Sequence, residues 1–166
     1  MFDMKGVFSR SKKTMGLDIG SGSLKLLEIV DTPKGPVLSY FSQLPLARGV
    51  IVEGALVEPE KLTAAIKELF KPFGGRKKGI VTSLSGNSVI IKKVTMGLMD
   101  EAEVRDLIHD EASKYLPFDD MGEVNFDFQI LGENPFNANQ IDILIVAAKK
   151  DIINSYTDAV EAAGLS

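Results

Sequence analysis

The stretch Asp18-Ile19-Gly20-Ser21-Gly22-Ser23-Leu24-Lys25 constrains this chain more than any other. Two short apolar runs, Thr14–Ile19 and Leu24–Val30, flank a turn built of glycine and serine. No helical periodicity follows the glycines, so the turn joins two strands. That excludes the P-loop and the dinucleotide-binding fingerprint, both of which open a helix. The second run carries Leu and Ile on both faces, which predicts a sheet covered from both sides.

A turn of this kind suits a phosphate. Phosphate recognition asks for inward-facing backbone N–H groups, a cation, and a carboxylate that holds Mg²⁺ through water. Gly20 and Gly22 allow tight or positive-φ backbone and close approach without a Cβ. Ser21 and Ser23 add short hydroxyl donors. Lys25 can reach β- or γ-phosphate oxygens as a point charge, and Asp18 can hold the water shell of Mg²⁺. Turns rich in Gly and Ser are common and usually structural; the acid just before and the lysine just after favour phosphate.

The remaining pattern divides near residue 86. Asp31–Pro36 reads as a turn and Val37–Gln43 as a third strand, giving a β-meander. Residues 44–58 read as a loop with a short strand at Val50–Val52. Pro59 opens a helix whose stripe is Leu62, Ala65, Ile66, Leu69, Phe70 and Phe73, stopped by Gly74-Gly75. Gly79–Leu84 reads as a buried strand. Beyond it, Ser88–Val94 is a strand, and Asp100 with Glu103 marks a helix start. Val104, Leu107, Ile108, Ala112, Tyr115 and Leu116 form the stripe of that helix. Val124, Phe126, Phe128 and Ile130 alternate with polar residues in a half-buried strand. Glu133–Asn139 reads as a polar loop, Ile141–Ala148 as a strand, and Asp151 as the cap of a last helix. The second half is thus strand–helix–strand–strand–helix, and the whole is mixed α/β (α+β).

Composition narrows the function. The 166 residues hold 45% hydrophobic side chains and a net charge of −4, which support a packed core and argue against a nucleic-acid binder. There is no cysteine, hence no disulfide framework or thiolate metal site. His109 reads as a surface histidine, since no catalytic partner can be named for it. The carboxylates around Asp100–Glu111 read as a solvated acidic face. No apolar run reaches the ~20 residues of a membrane span. Residues 1–13 carry Lys5, Arg10, Lys12 and Lys13 beside Phe2, Met4, Val7 and Phe8. Two readings of this basic tail stand: peripheral contact with anionic lipid, or a free tail. Arg76-Lys77-Lys78 reads as a solvated turn.

Gly16–Lys25 resembles the first phosphate motif of the actin and sugar-kinase superfamily. The wider pattern resembles, within it, the PilM family of type IV pilus assembly, relatives of the cell-division protein FtsA. Further stretches carry this likeness: Ser83–Ile90, Glu111-Ala112-Ser113-Lys114-Tyr115-Leu116-Pro117-Phe118, Val146–Lys150 and Ala162–Leu165. The resemblance implies an actin-like (ribonuclease H-like) first subdomain over residues 14–86 and an extra FtsA-type subdomain over 87–166. It implies ATP and Mg²⁺ as cofactors, with Asp18, Gly20, Ser21, Gly22, Ser23 and Lys25 on the phosphate side and Asp18 toward the metal. It also implies a cytoplasmic adaptor at the inner-membrane face. The partner is the N-terminal peptide of an inner-membrane pilus protein, PilN-like, held in a groove between the two subdomains.

The chain stops two residues after a helix-ending glycine, and the family's second phosphate motif and adenine segment are not in the sequence. The expectation is a truncated chain holding half of a nucleotide site, which alone binds ATP weakly or not at all and is inactive. Whether the longer protein is an ATPase stays open. Two alternatives share the hairpin. One is the N-terminal half of a sugar-kinase-like phosphotransferase, for which no set of sugar-contacting residues is seen. The other is a nucleotide-free interaction domain of a related secretion system, which would not need both Asp18 and Lys25.

Overall fold

The computed structural model describes residues 15–73 and 79–166. The basic tail and the Arg76-Lys77-Lys78 run lie outside the described residues. Those described form two compact units: residues 15–73, 79–86 and 152–166 in one, and residues 87–151 in the other.

In the first unit, β1 (Met15–Ile19), β2 (Ser23–Thr32) and β3 (Gly35–Pro45) form an antiparallel meander. The turn read over Asp31–Pro36 shrinks to Pro33-Lys34, because Asp31 and Thr32 pair with Pro36 and Gly35. Within residues 44–58, β4 (Ile51–Val52) and β5 (Ala55–Leu56) make a small ribbon. Its turn residues Glu53 and Gly54 both have positive φ, 50° and 85°, the conformation of a tight type I′ hairpin. Helix α1 (Pro59–Phe70) follows with proline in its first turn. It leads to β6 (Ile80–Thr82), which joins β1 in parallel, so the sheet order is β3-β2-β1-β6.

Strand alternation decides what this sheet buries. Leu17, Leu24 and Leu26 point to one face and are buried with Leu62 and Ile66 of α1. The opposite face carries Gly16, Leu27, Phe41 and Val81 in one cross-strand row, and Phe41 and Val81 are exposed. The expectation of cover on both faces is therefore met on one face only among the described residues. The predicted buried strand Gly79–Leu84 is likewise corrected. It is three residues long, an edge strand, and two of its three residues are exposed.

In the second unit, β7 (Ile90–Gly97), β8 (Val124–Asn134) and β9 (Asn137–Lys149) form a sheet of order β7-β9-β8. Helix α2 (Glu101–Tyr115) covers one face, with Val104, Ile108 and Ala112 buried against Ile143, Ile145 and Ala147. Its start is the capping box expected from Asp100 and Glu103. The Glu103 amide donates to Asp100 Oδ1 at 2.9 Å, and the Asp100 amide to Glu103 Oε2 at 3.0 Å. The loop expected over Glu133–Asn139 is instead a hairpin: Asn134 pairs with Asn137 around Pro135-Phe136. The Phe136 amide donates to Asn134 Oδ1 at 2.9 Å, a side-chain-closed turn that lets both strands run on.

The last helix, α3 (Lys150–Ala162), starts one residue before Asp151, the expected cap. From Ile152 onward it belongs to the first unit, which corrects the division that gave residues 87–166 to one subdomain. Its stripe explains why: Tyr156, Ala159 and Val160, followed by Leu165 just past the helix, join the core of Met15, Leu24 and Leu62. Two side-chain bonds fix it there, Thr63 Oγ1 to the Ala159 carbonyl (3.2 Å) and Tyr156 OH to the Gly54 carbonyl (3.2 Å). After Gly164 (φ 88°) ends the helix, the Ser166 carbonyl accepts the Ile80 amide at 2.8 Å. No described helix is long and apolar enough to cross a membrane.

Candidate functional site

The β1–β2 register brings the two charged residues of the motif face to face. Asp18 pairs directly with Lys25, and Ile19 with Leu24. Because Leu17 and Leu24 are drawn into the core, Asp18 and Lys25 must stand on the opposite face. Lys25 Nζ lies 2.7 Å from Asp18 Oδ2, and both side chains are about half exposed, 41% and 52%.

Between them the turn Gly20-Ser21-Gly22 is pinned at two points. The Gly20 amide donates to the Ser23 carbonyl (3.1 Å), and the Leu46 amide donates to the Gly22 carbonyl (3.0 Å). Leu46 is buried in the core, so the turn is tied to the body of the unit. The amides of Ser21 and Gly22 and the hydroxyls of Ser21 and Ser23 have no partner among the described residues. Ser21 and Gly22 are exposed, so these are free donors at the surface.

Of the tight or positive-φ backbone expected at these glycines, neither adopts positive φ. A Cβ on Gly20 would stand 3.1 Å from the Ser23 carbonyl oxygen, so the turn itself needs a small residue there. A Cβ on Gly22 would meet nothing within 4 Å. The protein's own packing does not require glycine at 22; a ligand approaching the backbone would.

The structure thus gathers Asp18, Gly20, Ser21, Gly22, Ser23 and Lys25 in one turn. The donor set fits a phosphate with Mg²⁺: free N–H and O–H donors, one half-exposed ammonium, and a single exposed carboxylate suited to hydrogen-bonding metal-bound water. Sequence reading missed Gln43, which lies opposite Lys25 on β3 and shares its face. Only the register reveals it. Among the described residues no three His, Asp or Glu side chains converge as a metal cluster.

A second concavity lies in the other unit, a cleft of about 690 Å³ between α2 and β8. His109, read as a plain surface residue, lines it, with its ring 6.4 Å from that of Phe126. On the outer face of the same sheet Asp142 is buried. It accepts from Thr95 Oγ1 and Asn134 Nδ2 (both 2.8 Å) and pairs with Lys93 Nζ at 2.7 Å. The Lys93, Asn134 and Thr95 donors hold its carboxyl down at about 2. All its partners are structural, and it adjoins no open donor set.

A meander closed by a parallel strand, with a Gly-Ser hairpin as its first turn, defines the class: a mixed α/β protein of actin-like fold. The family model for type IV pilus assembly protein PilM matches residues 16–166, and the chain belongs to that family. A chain in a structure of a PilM–PilN type IV pilus biogenesis complex is similar, with 32% identity over 92% of this chain and a TM-score of 0.77. This chain spans 45% of that one. A diol dehydratase-reactivating factor (12% identity, 76% of this chain and 17% of that, TM-score 0.30) is too distant to inform the fold. So is a Bacteroides thetaiotaomicron protein of actin-like ATPase fold (11%, 97% and 52%, TM-score 0.32).

Proposed function

We propose that this chain acts in type IV pilus assembly as a cytoplasmic, ATP-binding adaptor at the inner-membrane face, holding the N-terminal tail of a PilN-like membrane partner. The observation that carries the nucleotide half is the Asp18–Lys25 pair across a turn whose free amides have no internal partner. The partner half rests on family membership and on the likeness to a chain of a PilM–PilN complex.

In this reading Lys25 leaves Asp18 for a phosphate oxygen. Ser21 and Gly22 amides and the Ser21 and Ser23 hydroxyls donate to the same group. Asp18, released, would be the residue to accept hydrogen bonds from the water shell of Mg²⁺, and that ion would supply neutralisation of the phosphate charge. An exposed ion pair is worth only about 0–1 kcal/mol, so the exchange costs the fold little. The hairpin offers phosphate contacts and none to a base, so the 166-residue chain binds ATP weakly, in the millimolar range.

Two measurements test the halves separately. Calorimetry with ATP and Mg²⁺ should give no micromolar binding to this chain; a micromolar constant would overturn the half-site reading. Pull-down with N-terminal peptides of PilN-type partners, using a longer folded chain, should retain one of them. Failure of every such peptide would remove the adaptor role and leave the nucleotide reading intact.

A further inference from the structure

Within residues 87–151, β8 is an edge strand that pairs with β9 on one side. Helix α2 packs on one face of this sheet, and the cleft between α2 and β8 is lined on the apolar side by Ile108, Val124, Phe126 and Phe128. An edge strand beside a helix is a template for strand addition: main-chain bonds supply affinity, and alternate side chains enter the cleft. The Phe128 amide on this strand donates to the carboxylate of its neighbour Asp127 at 2.9 Å, an acceptor that a peptide carbonyl can replace.

Charge selects the occupant. Asp106 and Asp110 of α2 stand at the cleft, with Asp127 on the adjoining strand, against one cation, Arg105. Arg105 is already paired with Glu101 at 3.2 Å and lies 5.1 Å from the centre of the Phe128 ring. No described cation pairs with the three aspartates. An acidic rim repels nucleic acid, anionic lipid and acidic peptide alike. A second copy docking β8 to β8 would set like charges together, which destabilises strand pairs.

We propose that the α2–β8 groove binds an extended peptide by strand addition to β8, and that this peptide carries lysine or arginine between aliphatic residues. Aliphatic stems lie over Phe126 and Phe128, and cationic heads reach Asp106 and Asp110. Asp127 meets the side chains that point to the other face of the extended sheet. The proposal uses residues of this unit alone and stands independently of the nucleotide hairpin and of the adaptor role.

The test is a heteronuclear NMR titration of the 166-residue chain with acetyl-Lys-Val-Lys-Val-Lys-Val-amide. Shifts are expected along residues 105–110 and 124–128. They should be absent with the glutamate counterpart and with a version N-methylated at alternate residues. The double variant Asp106→Asn/Asp110→Asn, at exposed helix positions, should bind about fivefold more weakly, as expected for losing two exposed ion pairs. Equal binding of the glutamate peptide, binding indifferent to N-methylation, or shifts confined elsewhere would overturn the proposal. So would β8 shifts on dilution of the free chain, which would give the edge to a second copy.

Discussion

Two lysine–aspartate pairs, one in each unit, have the same 2.7 Å separation and opposite settings. Asp18 is half exposed, faces only Lys25, and stands beside unpartnered donors. Asp142 is 6% exposed in its side chain and holds Thr95, Asn134 and Lys93 at once, tying β7, β8 and β9 together. Distance alone does not distinguish an exposed, exchangeable pair from a fixed one; burial and the number of other partners do. A pair with little net worth can exchange its partner for a ligand. A carboxylate with three donors cannot leave without stranding all of them.

This contrast can be broken or sharpened by substitution. The largest effect is expected beneath the structural pair. Ile145 is fully buried in β9 under α2, and Ile145→Ala should cost about 2–5 kcal/mol. Amide hydrogen exchange should accelerate across residues 87–151 well before it does in the first unit. Equal acceleration in both would mean that the two units unfold as one.

Asp142→Asn comes next. The folded carboxyl titrates near 2, below the unfolded value of about 3.9. Its contribution is therefore fully present above about pH 4 and is lost as pH falls toward 2. Denaturation of the second unit followed by circular dichroism should show that acid dependence, and Asp142→Asn should be less stable at neutral pH and flatter between pH 4 and 2. A variant with the native acid profile would take Asp142 out of the account. Asp18→Asn sits at the small end, within about 1 kcal/mol of the native stability. A larger loss would make the hairpin pair structural too.

How far the fold was legible follows the same division. Elements set by local chemistry could be read directly: the Gly-Ser turn, the proline-led α1, and the Asp100–Glu103 capping box that starts α2. Contacts distant in sequence could not. α3 looks like the end of the second half, yet Tyr156 and Val160 are drawn to a core whose other members lie mostly between Met15 and Phe70. The Pro135-Phe136 turn is hidden in a polar stretch because its closure depends on one Asn134 side chain. For the site, residue types indicated phosphate, but the opposition of Asp18 and Lys25 is a property of register. The buried Asp142 and the α2–β8 cleft have no sequence motif at all, since each is made by elements distant in sequence meeting in space.

The central claim is that the β1–β2 hairpin is a phosphate site whose charged pair is free to change partners. Its most direct test is a titration of the chain with ATP and Mg²⁺ at millimolar concentration, followed by amide shifts. Movement of the Ser21, Gly22 and Ser23 amides, lost in Lys25→Ala while the rest of the spectrum stays native, is the predicted result. Shifts that survive Lys25→Ala, or an unmoved hairpin at saturating nucleotide, would contradict it.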